Sequence, residues 1–157
     1  MDRKERTKKE LIEASNHLNY EFWMLNSLSV GLASGLVGQG PLQNALIESF
    51  VIHMRALIDF LYSKNPKNDE VIAEDYFLAP DEWLKLRPDI SDMLRKASIR
   101  AHKEIAHLTY ERQKVTPETK PWHFVKINNE INNVFKIFLE NVNLELLGEQ
   151  WKLHHPL

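Results

Sequence analysis

The chain has 157 residues, no cysteine, and 20 Lys and Arg against 22 Asp and Glu, for a formal net charge of −2. That length fits one domain, residues 1–157, able to bury roughly two thirds of the surface of its unfolded form. Lack of cysteine excludes a disulfide framework and thiolate metal sites, and near-neutrality excludes a whole-chain field for nucleic acid or acidic lipid, so any such binding has to be local.

The opening Met1–Glu10 is charged but lacks the apolar core and cleavage site of a signal peptide, which together with the cysteine-free composition predicts a cytoplasmic protein. Its basic residues, Arg3 to Lys9, are expected to form a solvated, frayed first turn rather than a nucleic-acid contact. Lys4 to about Leu36 reads as a first long helix, ended by Gly35, Gly38 and Gly40. Pro41 suits the first turn of a second helix running to about Tyr62, in which Leu46, Phe50, Met54, Leu57 and Leu61 recur every three or four residues. The connection 63–87 begins with a polar turn, Ser63 to Asp69. It continues into a short segment opened by Pro80, in which Trp83, with Tyr76 and Phe77 before it, should fold back over one end of the molecule.

Pro88 is expected to open a third long helix to about Arg112, with Leu94, Ala97, Ala101, Ile105 and Leu108 as its stripe. Pro121 should open a fourth to about Leu147, with Ile127, Ile131, Val134, Phe138 and Val142. No run alternates strictly enough for a half-buried strand, and no stretch reaches the ~18 apolar residues of a membrane span. The short connections at 37–40 and 113–120 force neighbours to reverse. The predicted class is therefore all-α: an antiparallel bundle of four long helices, with a short extra helix in the 63–87 connection. Trp23, Trp83, Trp122 and Trp151 read as core or cap aromatics, and His154-His155 as a tail.

Two constellations carry chemical potential. In the second helix His53 interrupts the apolar stripe, which places it at the core, where buried polar groups are bonded, with a backbone carbonyl as the expected partner. Glu48, Arg55 and Asp59 share a neighbouring face, with Arg55 and Asp59 spaced as an i,i+4 ion pair. In the third helix Arg100 with His107, and Arg95 with His102, are seven residues apart, so on α-helical geometry each pair projects from one face. A guanidinium beside an imidazole suits phosphate chemistry, because one holds the anion and the other moves a proton near neutral pH. The same spacing also fits an ordinary charged helix face. Glu104 and His107 form one Glu-x-x-His, whereas bundle metal centres need two plus further carboxylates. Nothing in the spacing brings His17, His53, His107 and His123 together, so no metal or other cofactor is expected. Glycine-rich phosphate loops and serine elbows are missing from the sequence.

Taken together, Glu48 to Phe60, Asp75-Tyr76-Phe77 with Trp83, and Lys103 to Arg112 resemble the HEPN-like (higher eukaryotes and prokaryotes nucleotide-binding) bacterial helical proteins over about residues 40–140. The resemblance implies a helical bundle that dimerises and a metal-independent endoribonuclease, or an RNA- or nucleotide-binding component, of a toxin or defence system, sometimes with an antitoxin as partner. It implies that His107 assists attack of a ribose 2′-hydroxyl on the neighbouring phosphodiester, that Arg100 stabilises the developing charge, and that Glu104 orients His107. Arg95 and His102 form the alternative motif. The departures are Ala101 and Lys96 where active members often place a polar residue after the arginine, and Tyr110 three rather than two residues after His107. Many relatives are non-catalytic, which leaves a homodimeric interaction module as the other expectation.

Overall fold

The computed structural model describes residues 3–106, 109–116 and 120–152, and among them every regular element is helical. The α-helices are α1 (Lys8–Ala33), α2 (Pro41–Tyr62), α3 (Pro80–Leu86), α4 (Asp92–Arg100), α5 (Phe124–Asn141) and α6 (Glu149–Lys152). Short 3₁₀ turns occupy Ala73–Tyr76, Tyr110–Lys114 and Leu144–Leu146, and a π-helical segment, Ala101–Ala106, continues directly from α4. No helix among the described residues is long and apolar enough to cross a membrane.

Helix α1 starts four residues later than its charge pattern suggests, because Thr7 and Glu10 form a capping box. The Thr7 hydroxyl accepts from the Glu10 N–H at 3.2 Å, and the Glu10 carboxylate accepts from the Thr7 N–H at 2.8 Å. Its end is set by Gly35, whose φ of 67° is the left-handed conformation that glycine adopts without strain. The residues ahead of Thr7 are not frayed. Arg3 donates to Asp75 at 3.0 Å and to the Glu70 carbonyl, Arg6 donates to the Asn68 carbonyl, and the Lys4 N–H donates to the Asn68 side chain. They form a strap across the 67–75 loop.

The Thr7 N–H bond, reinforced by Lys4, holds the Glu10 carboxylate at about 2 instead of 4.5. A depressed native value stabilises the fold above the unfolded value and loses that contribution as pH falls toward the native one. Unfolding midpoints of the parent and Glu10→Gln should therefore differ near neutral pH and converge near pH 2.

Pro41 opens α2 and Pro80 opens α3, as expected of proline at the first helical turn. Pro88 and Pro121 do not. Ser91 caps α4 by accepting from the Leu94 N–H at 3.1 Å, and α5 begins only after His123. The expected continuous helix from 88 to 112 is instead α4, the π segment and the 3₁₀ turn. Two of the carbonyls at this break are taken up from downstream: Lys103 by the Thr109 hydroxyl at 2.8 Å, and Ile105 by the Arg112 guanidinium at 3.2 Å. The expected fourth helix ends at Asn141, followed by the 144–146 turn and α6.

Helix α1 packs along α2, both contact α5, and α4 lies against α2 and α5. Phe50, Met54, Leu57 and Leu61 of α2 and Ile127, Ile131, Val134 and Phe138 of α5 are buried, so the apolar stripes place the core correctly. Phe138 is its aromatic hub, with the rings of Phe60, Tyr76, Phe77, Trp83 and Phe135 all within 6 Å of its own. The 63–87 connection does fold back. Trp83 Nε1 and Arg87 both donate to the Leu61 carbonyl, at 3.0 and 2.9 Å, and so satisfy the end of α2, while Tyr76 Oη donates to the Leu11 carbonyl at 3.0 Å. The C-terminal turn docks on α1 through Ser15, whose hydroxyl accepts from the Gly148 N–H and whose carbonyl accepts from Trp151 Nε1, both at 2.8 Å.

Candidate functional site

The polar cluster of α2 borders a groove whose other wall is apolar, and the arginines and histidines of the second constellation do not line it. Glu48, Ile52, Arg55, Ala56 and Asp59 project from α2 toward Ala101 and Ile105 of the π segment around a cavity of about 500 Å³. The α2 helix supplies the charged rim because residues four and seven apart share a face, and Arg55 pairs with Asp59 at 3.4 Å as the spacing predicts. Desolvation raises the Asp59 carboxyl above its ordinary value against the pull of Arg55. With two carboxylates and one already paired guanidinium, the groove favours hydrogen-bond donors and apolar groups over a phosphodiester.

Arg100, the expected phosphate-binding residue, is occupied on every edge. Its Nε and Nη2 form a two-pronged pair with Glu104, each at 3.0 Å, and its Nη1 and Nη2 donate to the Pro121 and Lys120 carbonyls at 3.3 Å. Its Cζ also lies 4.1 Å from the centre of the buried Trp122 ring. Geometry of this kind makes arginine a clamp between helix and loop. Glu104 is therefore the partner of Arg100, and His107 lies outside the described residues. The assumption behind the seven-residue motifs also fails locally, because the i→i+5 bonding of a π-helix changes which residues share a face. In the alternative motif, Arg95 and His102 are both exposed, and Arg95 donates to the Ile90 carbonyl at 3.3 Å. Among the described residues, no three His, Asp or Glu side chains are grouped so as to hold a metal ion.

His53 sits at the core as its position in the stripe predicts, 8% exposed, but its partner is a side chain rather than a carbonyl: Nδ1 lies 2.6 Å from Glu21 Oε2 of α1. Tyr20 packs edge-on against the His53 ring and Trp23 against Tyr20. Unlike the other three tryptophans, Trp23 is 55% exposed, beside Tyr20 at 51%. Val51 and Ile58 of α2, by contrast, are buried inside the chain. Sequence reasoning missed Glu21 as a functional neighbour, yet a signal was present: from Ala14 to Ile47 it is the single formally charged residue. A lone carboxylate on such a helix needs a partner.

Removing the imidazole strands Glu21 and leaves a cavity. His53→Ala should lower stability by about 1–3 kcal/mol in denaturant unfolding, and coincident midpoints would contradict the placement.

Comparison with protein-family models, curated proteins and solved structures finds no match for this chain.

Proposed function

We propose that the chain is a non-catalytic, homodimeric helical interaction module, its long helices antiparallel, in which the α1–α2 face receives the same face of a second copy. The observation that carries this reading is the exposed apolar surface of α1. Tyr20, Trp23 and Val30 stand in water on a helix whose one carboxylate between Ala14 and Ala33 is taken by His53. Patches of this kind on a soluble chain mark interaction sites. With almost no charge on this face of α1 to select a charged partner, it matches another uncharged face, and a two-fold axis supplies one from an identical chain. The chain has no native cysteine, so a single introduced thiol reports the contact. A thiol-to-thiol crosslinker should join two chains of Ser27→Cys, exposed between Trp23 and Val30, and not of Lys96→Cys on α4. The reverse pattern would place the interface elsewhere.

The second reading is the HEPN-like one: a metal-independent endoribonuclease, or an RNA- or nucleotide-binding component, acting alone or with an antitoxin. It rests on the resemblance of the stretch from Lys103 to Arg112, with Arg100 closing α4 directly ahead of that stretch. It would require Arg100 to leave Glu104. Cleavage of single-stranded RNA in the presence of a chelator, abolished by His107→Ala, would establish this reading over the first. The homodimeric module predicts RNA left intact.

A further inference from the structure

A second cavity, about 650 Å³, lies between the N-terminal strap, the 72–78 turn and the end of α5. Its size is that of a small-molecule site. Its polar lining is unusual for a folded chain, because buried donors and acceptors are nearly always paired. Among the described residues five buried side-chain atoms have no partner within the protein, and three belong to this lining: Arg3 Nε, Arg3 Nη1 and Glu74 Oε2. Glu74 is more than nine-tenths buried. Arg3 spends its Nη2 on Asp75 and the Glu70 carbonyl, and no ion pair joins it to Glu74. Unmatched groups of opposite sign therefore line one cavity, beside further charges of both signs from Lys4, Arg6, Glu5 and Glu82, with Leu11, Ile72 and Phe77 as apolar wall.

We propose that this cavity binds a small zwitterion of the α-amino-acid class, its carboxylate on Arg3 and its ammonium on Glu74. The ligand has to supply both an acceptor and a donor. A phosphate or simple carboxylate would satisfy Arg3 and be repelled by Glu74, while a simple amine would do the reverse. Desolvation raises the Glu74 carboxyl above its ordinary value, with a backbone hydrogen bond and the charges of Arg87 and Arg3 pulling the other way, and a bound ammonium would offset that cost. The apolar wall accommodates the ligand's side chain and selects among amino acids.

The test is thermal unfolding and titration calorimetry of the full chain with each of the common amino acids at about 10 mM, where a ligand of millimolar affinity still shifts the midpoint. At least one is expected to stabilise the protein. Its decarboxylated and deaminated counterparts should bind about tenfold or more weakly, since each strands one buried charge. Glu74→Gln and Arg3→Gln should lose binding to a similar degree while keeping the helical spectrum. The proposal is overturned if no amino acid shifts the midpoint, if the amine or acid analogue binds as well as the parent, or if both variants bind normally.

Discussion

Arg100→Ala should lower stability by about 2–3 kcal/mol in denaturant unfolding, a figure below that of a fully buried ion pair because Arg100 and Glu104 remain 25% and 20% exposed. The substitution strands a mostly buried carboxylate, frees the Lys120 and Pro121 carbonyls and uncovers the Trp122 ring. Glu104→Ala should cost a similar amount, and the double variant clearly less than the sum, because the two side chains act as one unit. Arg100→Lys should not restore the parent, since an ammonium cannot span both carboxylate oxygens and the ring. A residue kept only for transition-state chemistry would behave otherwise: midpoints would not move, and an activity would vanish.

The largest loss is expected at Trp83. Its ring is wholly buried, stacked on Phe77 and edge-on to Phe138, and its Nε1 satisfies the Leu61 carbonyl at the end of α2. Trp83→Ala should cost about 3–5 kcal/mol, a large share of the ~5–15 kcal/mol that holds a domain together. Trp83→Phe should recover most of the packing and leave only the missing bond, so its midpoint should fall between the other two. Equal midpoints for all three would mean that the 63–87 connection does not close the end of α2.

Local patterns in the sequence make the core legible. The three-and-four spacing of Phe50, Met54, Leu57 and Leu61 depends only on helical geometry, so it predicted both the buried face and the inward direction of His53. Longer-range partners were not legible. Glu21 meets His53 across 32 positions, and nothing local to either residue specifies the other. The prolines show the same division. Pro41 and Pro80 have no competing cap, whereas Ser91 takes the capping role from Pro88, and Pro121 stays outside α5, its carbonyl and the ring of Trp122 held by Arg100. A seven-residue Arg-to-His spacing shares a face only on an uninterrupted α-helix, and the π segment at Ala101–Ala106 removes that premise. Exposure of Trp23 was hidden for a different reason: a large aromatic at helical spacing has the same pattern whether it faces a core or a second chain.

Sedimentation equilibrium of the unaltered chain at tens of micromolar tests the homodimer most directly. The α1–α2 interface predicts a species of twice the 18.4 kDa chain mass, reduced to the single mass in Trp23→Arg without loss of helical signal. A single 18.4 kDa species for the unaltered chain would contradict it.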